Sequence, residues 1–348
     1  MDKLPDNPKS GPTTVVIVDD SPFFRYQLGT RLNRRGWRIA ASLTSGEEAV
    51  QKIPDINPQL VLMDVVMPGI DGMETVRKLR KTWSGPIVMM SAHSDQGIRN
   101  TWKALDAGAN DFVAKPGAGE DVDHMIDQIV ERLKSVGRRP TLVRDEPAEA
   151  SLEVGTAGIR LLVIGASTGG PKALSYLFQT MGKQRPAIPV LVVQHMPGNF
   201  TRSFAERLAG LLGSPVIEAP PDGSSIPLQS APVVVAAGGL HLRVTAHACW
   251  AEPGERRHGV IPSVDVTLFD AVEAFGGQMA SVILTGMGED GAEGVHQLKQ
   301  RGGTVVVESR DTALVWGMPG TVAKNGDADA IWPLDRISGW VKKVVTHG

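Results

Sequence analysis

The run Leu161-Leu162-Val163-Ile164-Gly165-Ala166-Ser167-Thr168-Gly169-Gly170-Pro171 decides what the C-terminal half of this chain is. Four consecutive apolar residues describe a buried strand. Glycines then bracket a single serine, and Pro171 suits the first turn of a helix, where a backbone N–H would lack a partner anyway. A strand that turns sharply into a helix exposes its turn residue, and small neighbours let a substrate or another backbone approach the Ser167 hydroxyl. The helix that follows offers free N–H groups and the positive end of its dipole, which suit a developing oxyanion. Gly165 to Gly169 also fits G-x-S-x-G. Because similar glycine-rich turns serve packing or phosphate binding, a catalytic reading requires partners elsewhere in the chain.

Downstream, further apolar runs at Val190–Val193, Val233–Ala236, Val282–Leu284 and Thr304–Val307 read as strands, so this half is expected to be a layered, Rossmann-like α/β sheet. Between them, Phe200 to Leu212 has the spacing of an amphipathic helix with Phe204, Leu208 and Leu211 on one face. Ile337 to Val345 reads as a closing helix with Trp340 and Val344 inward, and the Pro- and Gly-rich segment 220–260, the hardest to place, is expected to include a β-ribbon. Two of the strands end in residues that suit a serine nucleophile. One delivers His195, and the other delivers the loop Gly286-Met287-Gly288-Glu289-Asp290-Gly291. A histidine can take the serine proton while a buried carboxylate fixes its tautomer. Each also has a plainer reading, His195 as a loop histidine and Asp290 as a turn or cap residue ahead of glycine. Serine precedes histidine and histidine precedes aspartate, which is not the α/β-hydrolase order of serine, acid, histidine.

Upstream, residues 14 to 136 alternate in the same way, with strands expected at Val15–Val18, Ile39–Leu43, Leu60–Met63, Ile87–Met90 and Phe112–Ala114. The pattern implies a doubly wound parallel sheet whose ligands bind beyond the carboxyl ends of the strands. Those ends carry Asp19 and Asp20, Asp64, Ser91, and Lys115 followed by Pro116. Converging acids with one lysine and one hydroxyl suit a hard divalent cation such as Mg²⁺ together with a phosphoryl group. Residues 1–13 are polar and Pro-rich and are expected to be disordered, while 137–158 reads as an interdomain linker.

Composition narrows the function classes. The 348 residues suffice for two domains, and 42% hydrophobic against 21% charged residues is a globular balance. A formal net charge of −2 gives no electrostatic reason to expect nucleic acid. The single Cys249 excludes an internal disulfide and suits a reducing compartment. No apolar run approaches a bilayer span and the first residues lack a signal-peptide core, so a cytoplasmic protein without direct membrane insertion is expected.

The first half resembles the receiver domain of two-component response regulators, over residues 14–136, through VDDS, LVLMDVVMPGIDG, MMSAHSD and GANDFVAKP. The resemblance implies a flavodoxin-like sheet and a phosphoryl group accepted by Asp64. It also implies Mg²⁺ held by Asp19, Asp20 and Asp64, phosphoryl contacts from Ser91 and Lys115, and Phe112 as the aromatic switch. Many receivers have threonine where this chain has Ser91, and the hydroxyl is kept. The second half resembles the catalytic domain of chemotaxis protein-glutamate methylesterases, the CheB family, over residues 159–345. IGASTGGP, VVQHMPGNFTRSFAERL, PSVDVTLF, LTGMGEDGAEG and VWGMPG followed by DADAIWPLD carry this resemblance. It implies Ser167 as nucleophile, His195 as general base and acid, Asp290 as the orienting carboxylate, and backbone N–H donors at Thr168 and Met287. Glu289 is the alternative acid. Ile261 stands where members often have arginine.

Together the resemblances imply a phosphorylation-controlled hydrolase of glutamyl methyl esters. Its implied partners are a CheA-type sensor histidine kinase as phosphodonor and methyl-accepting chemotaxis receptors as substrate. Some members also deamidate glutamines by the same route, and the unphosphorylated receiver is implied to cover the triad. Two rivals remain open at this point, a regulator whose second domain only binds and a serine hydrolase of small esters.

Overall fold

A computed structural model of the chain describes residues 14–92, 94–116, 122–123, 125–127, 129–130 and 154–347. The expected disordered segment 1–13 and residues 137–153 of the expected linker lie outside the described residues. The chain divides into two compact units, Met1–Arg139 and Pro140–Gly348.

In the first unit, five parallel strands are β1 (Thr14–Val18), β2 (Arg38–Leu43), β3 (Leu60–Asp64), β4 (Ile87–Ser91) and β5 (Asp111–Ala114), arranged β2-β1-β3-β4-β5. All five begin and end within one residue of the apolar runs read from sequence, because strands packed against the core show as apolar runs. Val15, Ile17, Leu60, Leu62, Val88 and Met90 project into one core with Leu28 and Leu32 of the helix Pro22–Arg34. That helix starts at Ser21, whose hydroxyl accepts from the Phe24 N–H at 3.3 Å, with Pro22 in its first turn. The strand order reverses between β1 and β3, so the crevice at their carboxyl ends receives Asp19, Asp20 and Asp64.

The second unit holds a seven-stranded parallel sheet. Its strands are β6 (Leu161–Ala166), β7 (Val190–Gln194), β8 (Val216–Glu218), β10 (Val233–Val235), β13 (Met279–Ile283), β14 (Thr304–Glu308) and β15 (Ala330–Trp332), in the order β15-β14-β13-β6-β7-β10-β8. The chain builds outward from β6 to one side, then crosses to the other at β13. This makes the edge above β13, β6 and β7 the switch point of the sheet. The segment 220–260 also holds a separate antiparallel ribbon of β9 (Ile226–Pro227), β11 (His241–Val244) and β12 (Ala248–Glu252), with β10 of the main sheet between β9 and β11 in the chain.

Two short strands, β8 and β15, were not legible as apolar runs, since Ile217 and Ile331 at their centres are exposed. The helix expected at 200–212 begins two residues earlier, at Gly198, and buries Leu212 where the pattern had placed Leu211. The closing helix is longer than expected, Leu334–His347, with Trp340 and Val344 buried as read. Among the described residues no helix is long and apolar enough to cross a membrane.

Candidate active site

β6 ends at Ala166 opposite Gln194 of β7, so the next residues on the two strands, Ser167 and His195, leave the sheet side by side. The backbone continues that pairing for one more step, with the His195 N–H on the Ala166 carbonyl at 3.0 Å. On the other side the Ser167 N–H donates to Thr285 O, just beyond β13, at 3.0 Å. Gly169 has a φ of 78°, the left-handed backbone that lets the helix Gly170–Met181 start immediately after the serine. Ser167 is half-buried and Thr168 buried.

His195 Nε2 stands 2.8 Å from Asp290 Oδ2. Its Nδ1 is buried and has no hydrogen-bond partner among the described residues. Asp290 is itself buried and accepts from four groups. Oδ2 takes His195 Nε2 and the Val264 N–H at 2.7 Å, and Oδ1 takes the Ser263 hydroxyl at 2.7 Å and the Asp265 N–H at 3.2 Å. Burial alone would raise the Asp290 pKa, but the hydrogen bond and charge of His195, with Ser263 and Val264, more than reverse this and hold it below the ordinary carboxylate range. Glu289, the alternative acid, is exposed and pairs with His258 Nδ1 at 3.3 Å.

A second set of contacts fixes the loop after β13. The Thr285 hydroxyl donates to Thr168 O at 2.9 Å and accepts from the Val315 N–H at 3.0 Å. Its N–H donates to Glu308 Oε2 at 2.7 Å, and Thr312 donates to Glu308 Oε1 at 2.9 Å. Glu308 is fully buried, and burial pushes its pKa up. Gly286 lies so close to the Ser167 turn that a Cβ there would stand 2.9 Å from Ser167 Cβ and 2.4 Å from Met318 Sδ. Across the turn, Gln194 Nε2 donates to the carbonyls of both Ser167, at 2.9 Å, and His195, at 3.0 Å. The N–H groups of Thr168 and Met287 donate to no other described residue.

In the first unit Asp19, Asp20 and Asp64 bring carboxylate oxygens within 4.8 Å of one another. Lys115 Nζ lies 2.6 Å from Asp64 Oδ2 and 2.7 Å from Asp19 Oδ2. Asp19 is fully buried, so this ion pair lies out of water. Three carboxylates facing one lysine leave an excess of negative charge on clustered oxygens, with Asp20 exposed beside them, which fits a hard divalent cation bound through oxygen. Burial pushes the Asp64 pKa up to about 6 despite Lys115. For Lys115 burial acts downward, and Asp64 and Asp19 more than reverse it, raising its pKa. Ser91 is buried and receives the Thr101 hydroxyl at 2.7 Å, while Phe112 packs edge-on against Trp102 with centroids 5.6 Å apart.

Residues 162–341 match the family described as CheB methylesterase, and residues 15–127 match the response regulator receiver domain. This chain belongs to the CheB methylesterase family. It is 38% identical to the protein-glutamate methylesterase/protein-glutamine glutaminase of a Nocardioides species, over 92% of each chain. With the protein of the same description from Symbiobacterium thermophilum it shares 35%, over 97% of this chain and 98% of that one. Among solved structures, the CheB methylesterase catalytic domain of Thermotoga maritima is 36% identical and covers 54% of this chain and 99% of its own, with a TM-score of 0.48. As a CheB-family member the chain is an enzyme, a methylesterase carrying a response regulator receiver domain.

Several residues of this CheB-family site escape a reading of sequence. Ser263, Val264 and Asp265 supply three of the four donors to Asp290. Their one local signal is a Pro-Ser pair ahead of an apolar helical stretch, which marks a helix start and says nothing of what the start holds. Gln194 reads as the last strand residue, and Glu308 as a polar strand end. The contacts that give them roles cross from strand to strand.

Proposed function

We propose that this chain hydrolyses glutamyl methyl esters on methyl-accepting chemotaxis receptors, with Ser167 as nucleophile, His195 as general base and acid, and Asp290 as the orienting carboxylate. The observation that carries the reading is the buried His195–Asp290 contact at 2.8 Å, beside a serine on the neighbouring strand end. His195 donates Nε2–H to Asp290, so the basic nitrogen is Nδ1. Nδ1 takes the Ser167 proton as Oγ attacks the ester carbonyl. The negative charge that develops on the carbonyl oxygen is met by the N–H groups of Thr168 and Met287. Nδ1 then returns its proton to the departing methoxide, which leaves as methanol. A water attacks the acyl-enzyme, gives its proton to Nδ1, and Ser167 is released with the receptor glutamate. The relatives' description as glutaminases favours a second substrate, a receptor glutamine, which would release ammonia by the same steps.

Control falls to the receiver. A CheA-type sensor histidine kinase supplies the phosphoryl group to Asp64, and Asp19, Asp20 and Asp64 would hold Mg²⁺, whose charge offsets the crowded acids. Lys115 and the Ser91 hydroxyl meet the phosphoryl oxygens, and Phe112 repacks as Ser91 moves. The enzyme works in the cytoplasm and meets the membrane only through its receptors.

The deciding experiment compares methanol release from a methylated receptor fragment and from generic small esters. Folded Ser167→Ala is expected to lose at least three orders of magnitude in kcat. Equal efficiency on generic esters, or turnover by the variant, overturns the reading.

A further inference from the structure

Asp290 is held by the start of a helix rather than by its own loop. Ser263 precedes the helix Val264–Phe275, and its hydroxyl both accepts from the Val266 N–H at 3.4 Å and donates to Asp290 Oδ1 at 2.7 Å. The donation is obligatory, since an ionised carboxylate only accepts. Ser263 is itself fixed from behind. Its N–H donates to His241 Nδ1 at 3.2 Å, and His241 Nε2 donates to Glu255 O at 2.8 Å. Ser263, His241 and Asp290 are buried.

We propose that Ser263 is a positioning residue that sets how strongly Asp290 acts on His195, by drawing carboxylate charge away from the imidazole. The inference rests on the hydrolase reading above and adds a residue to it. With four donors the Asp290 carboxylate is saturated, and each one shares its charge. Removing the hydroxyl leaves more of that charge on the side facing His195. The imidazolium is then better stabilised and gives up its proton less readily. The other ionisable groups around the acid are Asp265 in the first helical turn and, behind it, His258, Arg257, Glu289 and Glu293. His258 and Arg257 pair with Asp265, Glu289 and Glu293 pair with His258, and His241 behind Ser263 keeps its contact with the residue-263 N–H in every variant, while Asp265 feels the Asp290 charge directly and shares the change.

Glycine separates the two duties of Ser263, because it caps a helix nearly as well as serine and has no hydroxyl. In Ser263→Gly the acidic limb of the kcat/KM profile is expected to move up by about half a pH unit, roughly a threefold change, with KM unchanged. Ser263→Cys keeps the shape and weakens the donor, so it should move the limb in the same direction by less. A readout free of turnover is the downfield NMR resonance of the proton between His195 Nε2 and Asp290, expected further downfield in the glycine variant. A folded Ser263→Gly with both the limb and the resonance unmoved overturns the proposal. Should the wild type lack Ser167-dependent turnover, the hydrolase reading fails, and the resonance alone still decides the role of Ser263.

Discussion

His195 offers Nε2 to Asp290, at 2.8 Å, and keeps Nδ1 without a partner among the described residues. In the familiar serine-protease arrangement the two nitrogens have the opposite duties. The reversal follows from how the histidine enters the site. It sits directly after β7, between β6 and β10, and its acid arrives from the far side of β6 with the loop after β13.

Exchanging Asp290 for asparagine tests that arrangement. The amide would turn an N–H toward Nε2 or present a neutral oxygen, and either loses the fixed tautomer and the stabilised imidazolium. Methanol release by folded Asp290→Asn is expected to fall about 10³- to 10⁴-fold in kcat. Glu289→Gln, on the exposed neighbour, is expected to stay within about twofold of wild type, since surface changes away from the site have small effects. The opposite ranking assigns the wrong acid.

A different buried carboxylate gives a pH-dependent stability prediction. Burial raises the folded pKa of Glu308 above its unfolded value near 4.5. Its contribution to stability is therefore best below that unfolded value and declines as pH rises through the higher folded one, where the ionised form is penalised. Glu308→Gln keeps an oxygen for the Thr285 N–H and an amide for Thr312. It should raise the thermal transition of the catalytic unit at pH 8 by a few degrees, on the order of 1 kcal/mol, with no gain at pH 4. Glu308→Ala strands the Thr285 N–H and opens a cavity, so it should lose about 2–4 kcal/mol at either pH. Differential scanning calorimetry across pH reads both.

Receiver control predicts a third outcome. A chain beginning at Ala157 is expected to release methanol faster than the unphosphorylated full-length protein, and phosphorylation at Asp64 should raise full-length activity toward it. A shift of about 1.4 kcal/mol toward the active state gives tenfold. If the truncated chain is no faster than the unphosphorylated whole, the receiver acts by promoting catalysis or receptor docking instead of by inhibition.

How much of this was legible depends on where the information resides. β1, β3, β4, β6 and β7 are covered on both faces, so each shows as an apolar run, and the first polar residues beyond each run are candidates for the site. Ser167, His195 and Asp64 were found that way, and Lys115 likewise just past β5. Asp290 lies seven positions past the end of β13 and was found from its chemistry and from resemblance. The edge strands β8 and β15, three residues each with an exposed centre, leave no such trace. Nor does Ser263, because its partner is 27 positions away and local sequence records only that it begins a helix. Gln194 and Glu308 are silent for the same reason, since what they hold belongs to neighbouring strands.

The sheet order also governs when the enzyme becomes active as it is made. β6, β7 and β10 are neighbours in space and lie within residues 161–235, so a ribosome that has released this much of the chain can present Ser167 and His195 already paired at one edge. Asp290 comes only with β13, and the helix that holds it starts at Val264. On the proposed roles, a chain ending before Asp290 carries the serine and the histidine without their acid, and such truncation products are expected to hydrolyse esters far more slowly than the whole chain.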